Sequence, residues 1–452
     1  MPVFPDQLTN IAGADAQTAS PAPLRDMTIW EFTQFVRPMS VGHFRRVLKE
    51  VPNLPQGRPL SGQNAANATR VFTPQEVATL RHHFDTEGRQ GPRPRPKRAP
   101  IVSLVQTARG AGRTSTVAHL ATAAALDGWR VLVIDADPAA GTSRLLSGLE
   151  ESDGEPFGVL PLIARSYGGH LLRANQLRLD QGETPLPMEE AISRAVGLSA
   201  PDVIRPGRWP GLDLIAAPAS LALADLKLGQ WQGTARSWNP WRALYDLIHR
   251  DGLAAQYDVI FCDTGADVGP LTLAVAASSD VLVLPVPLWR MTPADLEPGQ
   301  ERDRATAGDG GRDAEDHEDV ARGLRALAAG LTDIQTRESR TARALGKPAM
   351  TLDWQGVHLL PVGAQVRTRT QEARLRARFG THVLPDAMPD VWADVRGRAK
   401  RAAPPEDLAR AHDGQLYDIA PRALPRAVYA PLRTAVEACW QGLQRVILTP
   451  DR

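Results

Sequence analysis

A mostly parallel α/β sheet flanked by helices, preceded by a small helical domain, is the fold class that the 452-residue sequence predicts, on three observations. Short apolar runs at Ile101–Val105, Val131–Ile134, Leu212–Ala216, Val259–Cys262, Val281–Val286 and Val357–Leu360 read as strands. Helical patterns such as Thr116–Asp127 and Trp241–Ala255 lie between them, and strand–helix alternation of this kind builds a parallel sheet covered on both faces. Asp135, Asp137 and Asp263 follow two of those runs, at the strand ends where ligands of open α/β sheets bind.

The elements follow in chain order. Residues 1–25 are polar and Ala/Pro-rich and read as a disordered leader. Residues 26–86 read as a helix-turn-helix-like, winged DNA-binding domain. MTIWEFTQFV forms its first helix, Arg37-Pro38-Met39 the break, and SVGHFRRVLKEV the second helix with Ser40 as N-cap. That second helix carries the candidate DNA contacts His43, Arg45, Arg46 and Lys49, and a connector with Arg58 and Arg70 reads as a wing. A third helix starts with Thr73 as N-cap and Pro74 at its first position. The competing reading is a small packing domain with a solvated, charged face. Residues 87–99 combine Pro, Gly and Arg and read as an extended, solvated linker. Residues 100–452 form the large α/β domain; within it 297–318 have almost no apolar residue and read as a disordered insertion. The stretch from Pro425 to Leu448 is amphipathic and helical.

Composition narrows the function classes. A net charge of +1 gives no global pull towards nucleic acid or membrane, so any basic patch is local. Cys262 and Cys439 are the only cysteines and have no metal-ligand or disulfide spacing, which suits a reducing cytosol. Adjacent His82 and His83 point to different helix faces and make no metal site. No secretory leader is expected at the N-terminus, and Leu271–Leu288, interrupted by Ser278, Ser279 and Asp280, reads as a helix then a strand rather than a membrane span. Trp209, Trp231, Trp238 and Trp241 read as packing residues.

The chemistry concentrates in IVSLVQTARGAGRT, residues 101–114. Gly110 and Gly112 let the backbone curl around an anion, and the helix that follows offers free N–H groups and the positive end of its dipole. Gly110, Ala111, Gly112, Arg113, Thr114 and Ser115 are the candidate phosphate-binding residues, with the Thr114 hydroxyl suited to Mg²⁺. Arg113 stands where such loops carry Lys. The chain is Arg-rich, with Lys at 49, 97, 227, 347 and 400 only.

The ordered trio of loop, VLVIDADPAAGTS and YDVIFCDTGADVGPLTLAVAASSDVLVLPV resembles the ParA/MinD family of dimeric partition ATPases, P-loop NTPases with a deviant Walker A loop. Three further segments, WPGLDLIAAPASLALADLKL, ARFGTHVLPDAM and GQLYDIAPRALPRAVYAPLRTAVEACWQGLQ, are similar to the RepA partition proteins of RepABC-type operons. The resemblance implies ATP and Mg²⁺ as cofactors. Thr114 would bind the metal, Asp263 would support it from behind, Asp135 would brace the loop, and Asp137 would position the attacking water. Ala108 stands where the family's signature Lys reaches the partner subunit's phosphates, and Ala139, Gly265 and Ala266 also depart from the family's pattern. Arg109 or Arg113 would then serve as the phosphate clamp, making Asp137, Arg113 and Arg109 the candidate catalytic set.

The resemblance further implies a homodimer, a ParB/RepB-like centromere-binding partner, autorepression through the N-terminal domain, and a cytoplasmic, nucleoid-associated location. Non-specific DNA contacts would come from C-terminal basic residues: Arg367, Arg369, Arg374, Arg376 and Arg378, then Arg396, Arg398, Lys400 and Arg401. Two readings stay open: an ATP-hydrolysing partition switch, and a non-hydrolysing pseudo-ATPase that serves as repressor or partition adaptor. Neither an iron–sulfur relative nor membrane cycling is expected, since paired cysteines and a strongly basic C-terminal amphipathic helix are both missing.

Overall fold

The structure, a computed structural model, describes residues 24–60, 69–87, 94–106, 110–147, 158–250, 252–290, 311–344, 356–363, 368–391, 416–418 and 426–449. Residues 1–23 of the leader, most of the 297–318 stretch, Ala108, Arg109, Arg367, Arg396, Arg398, Lys400 and Arg401 lie outside the described residues; Arg25, at the leader's end, pairs with Glu31.

The N-terminal module holds β1 (Met27–Thr28), α1 (Ile29–Glu31, running on as a π-helix over Phe32–Val36), α2 (Val41–Glu50), β2 (Arg58–Pro59), β3 (Arg70–Phe72) and α3 (Pro74–Thr86). Its three strands are antiparallel in the order β1-β3-β2. Helix starts follow their capping chemistry. Ser40 Oγ accepts from His43 N, and Thr73 with Glu76 closes a reciprocal capping box at the start of α3. Phe32, Phe44, Phe72 and Phe84 pack together inside the module.

The large domain carries β4 (Ile101–Leu104), β5 (Val131–Ala136), β6 (Arg205–Pro206), β7 (Leu212–Ile215), β8 (Val259–Thr264), β9 (Val281–Pro287) and β10 (Gly356–Val362). They form one sheet in the order β10-β9-β4-β8-β5-β7-β6, parallel except for the β6–β7 pair. All six expected strands are present. The short edge strand β6 contains Pro206 and gave no apolar run to read. Every residue of β4, β5, β8 and β9 is buried, as continuous apolar runs require when helices cover both faces.

The helices are α4 (Arg113–Leu126), α5 (Gly141–Leu146), α6 (Val159–Asp180), α7 (Glu190–Val196), α8 (Ala200–Val203), α9 (Ala224–Thr234), α10 (Pro240–Arg250), α11 (Leu253–Gln256), α12 (Pro270–Ala277), α13 (Gly311–Ala344), α14 (Arg369–Phe379) and α15 (Arg426–Leu448). Helix α4 is buried on nearly every side, which its Ala-rich sequence permits. Among the described residues no helix is long and apolar enough to cross a membrane.

Three sequence expectations change. Helix α13 begins at Gly311, so residues 311–318 of the expected disordered insertion are helical. Between Arg312 and Ala321 the sequence holds no Gly or Pro, and backbone propensity needs no apolar face to extend a helix anchored by Leu327, Leu331 and Ile334. The second half of the linker is pinned rather than solvated. Arg95 lies over the Trp129 ring at 4.8 Å and donates to Gly128 O, Arg98 pairs with Asp280 at 2.8 Å, and Ala99 is buried. Arg376 is paired with Glu372 in its own helix and donates to Leu384 O and Pro385 O beyond the helix end, and is removed from the DNA-contact set. Arg369 and Arg378 remain exposed on α14.

Candidate functional site

The sheet order puts β4, β8 and β5 side by side, with Leu104 opposite Asp263 and Asp263 opposite Asp135. The phosphate-type loop therefore leaves the sheet beside both carboxylates. Three stretches far apart in sequence meet at one carboxyl edge, as the sequence predicts.

Gly110 (φ 71°) and Gly112 (φ 82°) are both left-handed, and Gly112 is the N-cap of α4. A side chain at either position would be strained. Gly141 answers a different demand, since a Cβ there would lie 2.8 Å from Thr114 Cγ2. It lets α5 close onto the start of α4.

The Thr114 hydroxyl donates to Asp263 Oδ2 at 3.0 Å, and the Thr142 hydroxyl donates to the same oxygen at 2.6 Å. Asp263 Oδ1 is buried without a hydrogen-bond partner. Asp135 accepts from Asp137 N at 3.0 Å and from both the Ser143 amide and hydroxyl at 2.7 Å. Burial, then the facing Asp135, pushes the Asp263 carboxyl well above the usual carboxylate range; burial also raises Asp135, against its three donors. Asp137 lies just beyond β5, half-buried, with Oδ1 accepting from Ala139 N at 2.9 Å. Ala140, the N-cap of α5, sits in the left-handed region at φ 52°.

Arg113 does not extend along the loop. Its guanidinium is buried and Nη1 donates to Gln106 O, while Nε has no partner. Burial works against its charge, and Asp263, Asp137 and Asp267 work for it. Gln106 itself donates from Nε2 to Pro285 O at 3.0 Å, tying the loop to β9. Beyond β9 and β10 a cavity of about 360 Å³ is lined by Trp289, Thr368, Gln371 and Asp390. Val362, at the end of β10, packs on the loop: its Cγ1 would lie 3.4 Å from a Cβ on Gly112.

The residue set fits a magnesium–nucleoside phosphate. Hydroxyl and carboxylate oxygens suit a hard cation, the orphan Oδ1 of Asp263 offers a further acceptor, and the glycine turn opens a helix N-terminus to an anion. Sequence reasoning missed roles for Thr142 and Ser143, which stand within the DADPAAGTS segment, and for Gln106. Their spacing from the aspartates carried no signal until α5 folded back. Among the described residues no group of three or more His, Cys, Asp or Glu side chains is placed to hold a metal ion by itself.

The basic residues of α2 share one solvent face: His43, Arg45, Arg46 and Lys49 are exposed while Phe44 and Leu48 are buried. Arg46 approaches His43 Nδ1 at 2.9 Å and pairs with Glu50 at 3.9 Å. Arg58 is paired with Asp26, and Arg70 donates to Gln56 O and Gly57 O, so both sit at the root of the β2–β3 hairpin. The tryptophans pack as expected: Tyr167 and Trp231 stack at 5.2 Å, Trp238 meets Tyr167 at 5.0 Å, and Trp209 and Trp241 are buried.

Comparison with known proteins matches residues 102–396 to the family described as CobQ/CobB/MinD/ParA nucleotide binding domain. A protein of Sinorhizobium fredii (strain NBRC 101917 / NGR234) named "Putative replication protein A" is 28% identical over 270 residues, 58% of this chain and 57% of that protein. Protein SopA of Escherichia coli (strain K12) is 26% identical over 219 residues, 48% of this chain and 47% of SopA. The chain thus spans about half the length of the curated relatives it matches. A solved structure described as a partition protein is 18% identical, covers 88% of this chain and 94% of that one, and superposes with a TM-score of 0.53, a likeness of fold.

Proposed function

The chain belongs to the CobQ/CobB/MinD/ParA nucleotide-binding domain family, and from that premise we propose that it is a partition-type, ATP-dependent DNA-binding switch. The observation that carries this reading is the convergence of residues 110–115, Asp135, Asp137 and Asp263 at the ends of three adjacent strands. Amides of Gly110–Ser115 would hold the phosphates, Thr114 would bind Mg²⁺ with Asp263 supporting it from behind, Asp137 would position water, and Arg113 or Arg109 would supply the clamping charge. When bound there, magnesium would supply neutralising charge to the phosphates.

The N-terminal module reads specific DNA. The contact of Phe44 in α2 with Phe72 in β3 supports reading the β2–β3 hairpin as a wing next to a recognition helix, in which α2 offers His43, Arg45, Arg46 and Lys49 to a groove. Exposed Arg369 and Arg378 give phosphate contacts of the non-specific kind. A homodimer, a ParB/RepB-like partner and autorepression complete the reading, with the protein cytoplasmic and nucleoid-associated.

Two observations favour a second reading, a pseudo-ATPase that binds DNA without hydrolysis. The Arg113 guanidinium is engaged by the loop's own Gln106 carbonyl, and Ala108 replaces the signature Lys. Titration with ATP and Mg²⁺ by calorimetry, followed by turnover with and without DNA, separates the two. Measurable turnover lost in Asp137→Ala and Arg113→Ala supports the switch. Binding without turnover in all three proteins supports the pseudo-ATPase. Unchanged ATP affinity in Gly112→Asp refutes nucleotide binding at this loop.

A further inference from the structure

We infer that Arg81 couples the nucleotide loop to the N-terminal module, through the far end of α4. Helix α4 starts at the glycine turn and ends at Leu126, about 20 Å away at the usual rise per residue. Its last carbonyls need partners, and a cation is favoured there by the helix dipole. Arg81, from α3 of the N-terminal module, meets both needs. It is only 3% exposed and uses all five of its donors. Nη1 donates to Leu126 O at 3.2 Å and to Val36 O, which closes the helix before α2. Nη2 donates to Asp127 O at 2.7 Å and to Asp127 Oδ1 at 3.1 Å, and Nε to Asp85 Oδ2 at 2.6 Å.

Asp127 is shared with the C-terminal helix, since Oδ2 accepts from Trp440 Nε1 at 3.2 Å. A second tie lies nearer the loop. His119 of α4 accepts from Leu416 N, and Tyr417, whose carbonyl accepts from Arg25 Nε, lies beneath the Arg433 guanidinium at 4.1 Å. Arg25 in turn pairs with Glu31, the capping-box residue of α1. The module is thus fastened to the loop's own helix at two levels, and a shift of α4 carries α1, α3 and the exposed face of α2 with it. A planar five-donor group bonded to two helix ends and two carboxylates has no partial arrangement that leaves its carbonyls satisfied.

The inference rests on nucleotide binding at residues 110–115, and the experiment separates the two. Hydrogen exchange of the full chain is followed with and without AMP-PNP and Mg²⁺, in wild type, Arg81→Met and Asp127→Asn. In the wild type, nucleotide changes exchange both at the start of α4 and in α2, the latter by roughly fivefold or more. In the variants the α4 response persists and the α2 response is diminished, the His119–Tyr417–Arg25 tie remaining. Asp127→Asn keeps the shape of the site and decides the matter if Arg81→Met fails to fold. A wild-type response at α4 with none in α2, or an undiminished α2 response in Asp127→Asn, overturns the coupling. No wild-type response at α4 overturns the nucleotide reading itself, and the coupling falls with it.

Discussion

His119 makes the energetics of α4 measurable through pH. Its ring is buried between Ser115 O, which takes the Nδ1 proton at 2.6 Å, and the Leu416 amide, which donates to Nε2 at 3.0 Å. Both ring nitrogens are committed, so the neutral tautomer fits and the imidazolium does not. Burial lowers its pKa from the ordinary 6.5 to about 4, with Ser115 O and Asp418 pulling the other way. A histidine with a lowered folded pKa stabilises the fold fully above the unfolded pKa, and that contribution fades as pH falls towards the folded one. The total is about 3 kcal/mol, of which about 1.4 kcal/mol is lost by about pH 5.5.

Asp135 and Asp263 act oppositely, because their raised pKa values let the folded state take up protons first. A comparison of two proteins that share them cancels their effect. The perturbation is His119→Gln, the assay urea unfolding read by tryptophan fluorescence from about pH 7.5 to about pH 5.5. The variant is less stable at the upper end, where a ring bonded on both sides has been replaced. Wild type then loses about 1.4 kcal/mol relative to the variant on acidification. A stability difference that stays constant over this range refutes the neutral, doubly bonded ring.

Other outcomes follow from the site. Arg113→Lys replaces the guanidinium held by Gln106 with a compact ammonium that clamps phosphate better, so ATP turnover measured by phosphate release rises; an unchanged rate counts against that contact as what weakens the clamp. Ala140→Gly relieves a left-handed alanine and raises stability by roughly 1 kcal/mol, read as a higher urea midpoint. Thr142→Val strips one donor from buried Asp263 and costs roughly 1–3 kcal/mol in the same assay; no change in midpoint would show that the 2.6 Å contact contributes nothing. Arg45→Ala and Arg46→Ala weaken binding to operator DNA and leave bulk-DNA binding intact; equal losses on both would mark them as phosphate contacts.

Much of this was legible in the order of residues. Unbroken apolar runs ending in Asp dictate buried parallel strands with carboxylates at their ends, and a glycine turn before an Ala-rich segment dictates an anion-facing helix, because these are local consequences of side-chain period and backbone freedom. Caps at Ser40 and Thr73 were equally plain. What needed the folded chain was whatever depends on contact between distant segments. That Arg113 turns back to Gln106, that Thr142 reaches Asp263, that Arg376 is spent on Leu384 and Pro385, and that Arg81 closes the end of α4 are choices of partner. A sequence lists donors and acceptors, but only packing decides which meet, since each buried polar group takes whichever partner the surrounding core brings within reach.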